Sequence, residues 1–590
     1  MRLPNLLATR RGRLAAFFAL YMTEGIPLGF AATAVATQLR RQGIGPAEIG
    51  AFVGSFYLPW AFKWAFGPFV DVFASERFGR RRGWILGTQL LLALTLLSTV
   101  LLTLPQQLGL FTVILLVHNT FGAMQDVAID ALAVNTLHED ERGLANGLMF
   151  AGASIGQLIG GSGVLFMAPY TGFQATFFFV AGCILLVTLV VVLPMREAPS
   201  AARVVAAGSR LRAAAAEVRD FAVDSFRSFL GTRAALAGLV FAILPAGAMC
   251  LGLALQTNLA VELGMKDDEV AWLNAWSTIV NGACCVLGGW MSDRYGRRRM
   301  LAVFVALQSV PVLILMNQLA QHGWVMPVDL DAPGRPAVPP VLVTALWVTT
   351  LAYNMANGLM YGTRSAIFMD ITNPAVAATQ FTAYMAMMNL AISYSATWQG
   401  IAAEAWGYPT TLLVDAVLGL VGLAALPFIK PLRVDGEPRW TDARAGRRAR
   451  GMALLLALAC LAWLPYGQWH AALGKAQPIL GTLFTLVFVA SALFLLAAAA
   501  VLRDASPGLA RAAAWVAPLL FAMYLRYHVD TIASWVGADA AAFRGAADAV
   551  LAVIAAAGGV LLLVLWRQSW AGLGATVSRM EPQGAAATAS

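Results

Sequence analysis

Apolar runs long enough to cross a bilayer recur along this chain, each bounded by a short polar or basic segment. A spanning helix needs about 20 mainly apolar residues. On that template the pattern predicts helices near 14–36, 47–70, 84–104, 108–132, 143–168 and 174–194. Six more follow near 234–258, 268–291, 299–318, 340–362, 376–402 and 408–430. Four further runs, near 450–467, 477–501, 511–528 and 545–566, close the chain. The reading is an all-α membrane protein. Residues 1–195 form a six-helix bundle, 196–233 a cytoplasmic central loop, 234–430 a second six-helix bundle, 431–450 a basic linker, and 451–590 extra helices with a short tail. The last two spans are short and are flanked by Arg526 and Arg544, so fourteen helices in place of sixteen stays open.

Composition narrows the class. The chain has 590 residues, 59% of them hydrophobic and only 12% charged, with a mean hydropathy of +0.71. That is far too apolar for an ordinary water-soluble protein. The net charge of +9 would suit nucleic acid if it lay on one face, but the basic residues cluster between hydrophobic runs. Because cytoplasmic loops keep Lys and Arg during insertion, an N-terminus inside the cell places most of the 40 basic residues on the cytoplasmic side. Both termini are then cytoplasmic, and the first apolar run, with Glu24 inside it and no small-residue cleavage site, is a retained helix. Cys183, Cys250, Cys284, Cys285 and Cys460 sit in apolar stretches without metal-ligand or disulfide spacing, and are read as buried small hydrophobes. No metal, cofactor or nucleic acid is expected.

An internal repeat supports two related halves. Gly67-Pro-Phe-Val-Asp71, followed by Gly79-Arg80-Arg81-Arg82, returns as Gly289-Trp-Met-Ser-Asp293 with Arg294, Gly296, Arg297, Arg298 and Arg299. Each copy follows the second helix of its half. Glycine would let two helices approach closely, the aspartate ends a helix, and the arginines anchor a short loop to the cytoplasmic face. Gly122 through Asp130 likewise matches Gly362 through Asp370 in spacing. The duplicated loop resembles the major facilitator motif, which implies two pseudo-symmetric six-helix halves and alternating access. Gating of the cytoplasmic side is the expected role of these residues, and an ordinary positive-inside loop is the alternative for either copy alone.

Charged groups at mid-bilayer cost roughly 2.5 to 3.5 kcal/mol on insertion scales, so those that persist face a cavity or a partner. Helix one carries Glu24 in Thr23-Glu24-Gly25-Ile26-Pro27, where proline and glycine can break the helix. Helix two carries Lys63 between Trp60 and Trp64, and a Glu24–Lys63 contact would offset both charges. Helix four holds His118, Asn119, Gln125, Asp126 and Asp130, with Asn119, Asp126 and Asp130 on one stripe. Two nearby carboxylates repel when both are ionised, so one can hold a proton, which is what a proton-coupled carrier needs. Asp126, Asp130 and Glu24 are the coupling candidates, Asp126 first; bracing of cytoplasmic loops is the alternative. Cavity candidates are Lys63, Trp60, Trp64, Asn119, Gln125, Gln256, Asn274, Trp276, Asn357, Tyr361, Arg364 and Asn389. Indoles with amides suit a sugar-like or peptide-like solute, and Arg364 could receive a carboxylate or phosphate. Interhelical hydrogen bonding and interfacial anchoring are the alternative. Gly152, Gly156, Gly160 and Gly161 are read as close helix packing.

Tyr21-Met-Thr-Glu24-Gly-Ile-Pro27-Leu-Gly-Phe, Leu58-Pro-Trp-Ala-Phe-Lys63-Trp, Gly79-Arg-Arg-Arg-Gly-Trp84 and Gln125-Asp126-Val-Ala-Ile-Asp130-Ala together resemble the AmpG muropeptide permease family. That family lies in the peptide and acetyl-coenzyme A transporter branch of the major facilitators, and the likeness covers residues 12–430. It implies proton-driven import of anhydro-muropeptides, disaccharides bearing a short acidic peptide, across the bacterial inner membrane during cell-wall recycling. Two extra helices would match that family, against four here. Carriage of an acyl-coenzyme A or a siderophore is the alternative within the branch. A non-transporting sensor, or a membrane enzyme, is the alternative of another class. The enzyme reading finds no support in the dense loop His138-Glu-Asp-Glu-Arg142, which lacks a catalytic constellation. The expected partners are thus a small sugar-peptide solute, protons and lipid, with the chain acting as a monomer.

Overall fold

The structure is a computed structural model. It describes residues 5–73, 78–137, 142–197, 210–328, 337–372, 377–429, 442–469, 477–503, 505–529, 533 and 539–570. His138 to Glu141 and Asp530 lie outside that set, as do the side chains of Arg142, His528, Asp71 and Asp293. Among the described residues the regular structure is helical, and twelve helices are long and apolar enough to cross a membrane.

The first half opens with α1 (Arg10–Arg41) and α2 (Pro46–Ala61). After a 3₁₀ turn at Lys63–Ala65 comes α3 (Phe66–Val72), then α4 (Arg82–Leu101), α5 (Leu108–Thr136), α6 (Arg142–Leu158, continued by Ile159–Gly163 and Val164–Thr171) and α7 (Phe173–Val192). The polar centre of the chain carries α8 (Arg210–Gly231). The second half runs α9 (Arg233–Ile243), α10 (Ala254–Glu262), α11 (Asp267–Tyr295), α12 (Arg297–Gln321), α13 (Pro340–Ile371), α14 (Ala377–Trp406) and α15 (Tyr408–Phe428). Last come α16 (Asp442–Trp469), α17 (Gln477–Val501), α18 (Pro507–Ala522) and α19 (Ala540–Arg567).

All four C-terminal runs are among the twelve apolar spans. Helices two, seven, ten and eleven are not, for a physical reason. Helix two is interrupted at Phe62, three residues after Pro59, and helix seven is broken between Ile243 and Ala254. The long helices α13 and α14 are diluted by amides and hydroxyls. Helix one departs from expectation in the opposite sense: it runs unbroken through Gly25 and Pro27. A π-helical stretch at Phe30–Val35 takes up the disturbance that proline causes three residues earlier.

The chain divides into two compact units. The first comprises residues 1–215, 240–369 and 382–427. Its tightest seam joins α1 to α6. A methyl group added at Gly156 would collide with the Met22 carbonyl, and one at Gly160 with the Ile26 carbonyl, so only glycine permits this approach. The expected packing role of Gly152, Gly156 and Gly160 holds. It fails at Gly67 and Gly289, where added methyls would meet open space; the close approach falls one residue earlier, where Gly288 abuts the Leu359 backbone. Gly79 and Gly296, the matching loop glycines of the repeat, both have positive φ, at 89° and 96°.

At the end of the first unit where α1 finishes, polar contacts tie the two halves together. Arg40, whose side chain is 3% exposed, donates to Glu262, which is fully buried and also accepts from the Tyr408 hydroxyl. Arg40 reaches the Val328 carbonyl at 2.7 Å as well. Beside it Arg41 Nε donates to Asp267 Oδ1 at 2.6 Å, and the Ala47 amide donates to Glu404 at 2.9 Å. Ser393 Oγ donates to the Gly54 carbonyl at 2.7 Å.

The second unit comprises residues 216–239, 370–381 and 428–590. Its core joins Ala453, Ala457 and Cys460 of α16 to Phe488 and Leu495 of α17, Ala513 and Ala517 of α18, and Leu562 and Leu565 of α19. From α8, Phe226 enters this core, its ring 5.3 Å from Phe494 and 6.1 Å from Trp570. Cys250 and Cys460 are buried as expected, whereas Cys183, Cys284 and Cys285 are half-buried; all five are free thiols.

Two outcomes follow for stability in detergent. Gly156→Leu should cost about 3 kcal/mol or more by overpacking a closed seam, whereas Gly147→Ala on the same helix, with open space around it, should be neutral or stabilising in the same thermal-unfolding assay. Arg40→Ala should destabilise by about 3–5 kcal/mol because it strands a buried carboxylate. The Arg40→Ala/Glu262→Ala double variant should lose less than the sum of the two single losses, which a double-mutant cycle measures.

Candidate functional site

The polar residues of α5 converge on α1 and on the turn after α2. α2 carries Pro59 in its last turn and ends at Ala61, and the chain turns at Lys63–Ala65 before α3, placing Lys63 at a bend. There Lys63 Nζ lies 2.9 Å from Asp126 Oδ2, with side-chain exposures of 16% and 5%. The expected partner was Glu24; Lys63 pairs with Asp126 instead. Glu24 remains within electrostatic reach of Lys63, Asp126 and Asp130, and its buried Oε1 has no hydrogen-bond partner among the described residues. Asp130 accepts from the Tyr21 hydroxyl, one turn before Glu24 on α1. Three carboxylates therefore gather around one lysine.

Next to them runs a neutral relay. Gln125 Nε2 donates to Thr23 Oγ at 2.9 Å, Gln89 Nε2 donates to the same oxygen at 3.2 Å, and Thr188 donates to Gln89 at 2.7 Å. Trp60 Nε1 donates to Asn119 at 3.1 Å, and Asn119 donates to the Phe56 carbonyl. Lys63 Nζ stands 6.0 Å from the Trp60 ring centroid, at the outer limit of a cation–π contact. His118 is held by the Leu92 carbonyl and by Thr95 at the far end of the stripe. The predicted residues Glu24, Trp60, Lys63, Asn119, Gln125, Asp126 and Asp130 thus form one contiguous group. Trp64 follows Lys63 in the same turn and is half-buried.

The second-half candidates are more scattered. Asn274 turns back on its own helix to the Val270 carbonyl at 3.0 Å, and Trp276 is half exposed at 50%. Neither joins the cluster. Asn357 and Asn389 are half-buried, and the Gln308 amide beside Asn357 donates instead to the Ala248 and Ala246 carbonyls at 3.1 and 3.2 Å. Gln256 is buried on α10, its Nε2 without a partner among the described residues. Tyr361 and Arg364 lie one turn apart on α13, the guanidinium 5.2 Å from the ring centroid.

Of the loop motif, Arg81 Nη1 donates to the Val70 carbonyl at 3.2 Å. The Glu197 carboxylate accepts from the Arg81 amide at 2.9 Å and also from the Arg82 amide, which caps the start of α4. Arg80 and Arg297 are half-buried and Arg294 is exposed.

Sequence reasoning missed Asp415 on α15. It is buried and accepts from the Met249 and Cys250 amides at 2.8 and 2.9 Å and from Gln399 Nε2 at 2.8 Å. It thereby satisfies backbone donors freed where helix seven breaks. An acid inside the run Thr411-Leu-Leu-Val-Asp415-Ala-Val-Leu was the available signal. The Arg40–Glu262 pair was missed too, because both residues sit at helix ends, where charge is unremarkable.

The family model of the Major Facilitator Superfamily matches residues 14–248 and again 236–590. The anhydromuropeptide permease of Escherichia coli K12 is 24% identical over 423 residues, 70% of this chain and 79% of that one. A Haemophilus influenzae protein is 24% identical over 443 residues, 74% of this chain and 98% of its own. Among solved structures, a D-xylose-proton symporter superposes with a TM-score of 0.53 at 13% identity over 71% of this chain and 97% of its own. The inward-open xylose transporter of E. coli gives 0.51 at 12%, over 72% of this chain and 97% of its own. At those identities the structures speak for the fold alone. With both halves matched by the family model and a permease among its relatives, the chain belongs to the Major Facilitator Superfamily and is a multi-pass bacterial membrane transporter of a small-molecule solute, not an enzyme.

Proposed function

We propose that this transporter imports anhydro-muropeptides from periplasm to cytoplasm across the inner membrane by proton symport, as a monomer with both termini cytoplasmic. The cluster of Glu24, Asp126 and Asp130 around Lys63 carries the coupling half of that reading. With all three acids ionised, one lysine leaves negative charge uncompensated in a largely buried place, and binding a proton relieves the repulsion. Asp126 is the coupling residue of choice. It holds the lysine of the α2 bend, so protonating it loosens α2 from α5, and solute binding and proton binding act on the same element.

The substrate half rests on the E. coli anhydromuropeptide permease, similar over 70% of this chain. The amide- and indole-rich inventory of Trp60, Asn119, Gln125, Gln256, Asn357, Tyr361 and Asn389 supports it, because such groups bind a sugar-peptide through hydrogen bonds and ring faces. With the N-terminus inside, the Arg40–Glu262 and Arg41–Asp267 pairs lie on the periplasmic side and close it. The repeat, Gly67, Asp71, Arg80 and Arg81 with Gly289, Asp293, Arg294 and Arg297, then lies on the cytoplasmic side and gates that exit. The two halves exchange access by breaking one set of contacts and making the other.

The test is uptake of labelled anhydro-muropeptide into right-side-out vesicles with and without an imposed proton gradient. Wild type should accumulate it only with the gradient, and Asp126→Asn should abolish accumulation while solute exchange persists. Failure of well-folded wild type to accumulate it would retire the muropeptide assignment and turn attention to acyl-coenzyme A and siderophore solutes. Lys63→Met should lower the yield of folded protein by stranding Asp126. Adding Asp126→Asn to it should restore folding, read by size-exclusion chromatography, without restoring gradient-driven uptake.

A further inference from the structure

Among the described residues, Arg40, Lys63 and Arg364 are cations deep in the first unit, and the first two are paired. Arg40 meets Glu262 and Lys63 meets Asp126. The third, Arg364 on α13, is only 4% exposed, and among the described residues it makes no hydrogen bond or ion pair. What it touches is a ring: its guanidinium stacks over Tyr361, 5.2 Å from the centroid. Such stacking covers a face of the planar cation and leaves its N–H edge free, the edge that binds a two-oxygen anion in bidentate fashion. A buried cation without an acceptor is costly, and a transport cycle tolerates one when the cargo completes it.

Further along α13, towards the break in helix seven, other buried polar groups are unfinished too. Tyr353, about three turns before Arg364 on α13, is within electrostatic reach of the guanidinium, and its ring and hydroxyl pack against Gly252 just before α10 begins. Among the described residues, buried Gln256 Nε2 and both amide atoms of Asn258 on α10 have no partner, and neither has buried Thr350 Oγ, about four turns before Arg364 on α13. Gln256 and Asn258 follow the break in helix seven, and discontinuous helices are where transporters of this kind place solute.

We infer that Arg364 is an anion-recognition residue of the solute site, receiving a carboxylate or phosphate oxyanion on the cargo with its guanidinium held in place by Tyr361. The inference deepens the muropeptide reading and rests on it for the identity of that anion, which would be a free carboxylate of the peptide stem. A phosphate-bearing acyl-coenzyme A would meet the same edge. Lysine lacks the planar fork, so it would serve only in part.

The test measures binding and uptake for purified protein in proteoliposomes. It uses anhydro-muropeptide with free stem carboxylates, the same compound with those carboxylates amidated, and acetyl-coenzyme A, each against wild type, Arg364→Gln and Arg364→Lys. Losing a charge-assisted pair should raise KM for the acidic muropeptide about 10-fold or more in Arg364→Gln. KM for the amide should stay near its wild-type value, so that the preference for the acid collapses, and Arg364→Lys should recover part of it. Equal preference in wild type and Arg364→Gln would overturn the inference. So would equal loss of both compounds, which would mark a packing or gating residue. If wild type takes up neither muropeptide but binds acetyl-coenzyme A through Arg364, the muropeptide reading fails and the anion site stands. No wild-type preference for any of these anions over the amide overturns the site itself.

Discussion

A charge inside a lipid bilayer must find its counter-charge within the protein, and the Lys63–Asp126 pair is the place where this molecule meets that demand. Much of the first half is organised around it. α2 ends at Ala61, so that Lys63 falls on a bend, and α5 brings up its acidic stripe. The glycine seam draws α1 against α6, which fixes where Glu24 and Tyr21 stand relative to that stripe. Because one lysine serves several carboxylates, the cluster is satisfied only in part, and a partly satisfied buried network responds sharply to a single proton.

The two halves use polar side chains differently. In the first, Gln125, Thr23, Gln89 and Thr188 bond to one another, with Gln125 Oε1 left over. In the second, among the described residues, Gln256 Nε2, both amide atoms of Asn258, Thr350 Oγ and Arg364 Nε are left open. Folding normally removes unpaired buried donors and acceptors, which is why those on α10 and α13 enter the anion-site proposal. The broken seventh helix shows the contrasting case. Its freed amides are satisfied by Asp415, and the break is a built feature of the fold.

Joining the halves at one end through buried Arg40 and Glu262 has a further consequence. A buried ion pair adds little net stability over an apolar isostere, but its parts cannot be separated cheaply unless water reaches them. That suits a contact meant to be either fully closed or fully open. Arg41–Asp267, half-buried beside it, and the Ala47–Glu404 cap extend the same closure towards solvent.

The hydropathy pattern alone determined where the helices lie, because the bilayer imposes a length and an apolar composition that can be read residue by residue; it missed the interruption of helix two, the break in helix seven and the extra turns at the ends of α1, α13 and α16. The duplicated loop determined the two-half plan, and intramembrane charge picked out Glu24, Lys63, Asp126 and Asp130, since such residues are too costly to keep without use. Only the tertiary structure decided the pairings. Lys63 chose Asp126 over Glu24 because the bend after Pro59 aims it at α5, a direction no linear spacing contains. Gly288, and not Gly289, meets the neighbouring backbone, because the contact face depends on how two helices cross. Arg40, Glu262 and Asp415 stood in the sequence as ordinary charges near helix ends or lone acids in apolar runs. Their meaning came from partners more than 150 positions away, brought close by packing that local chemistry does not encode.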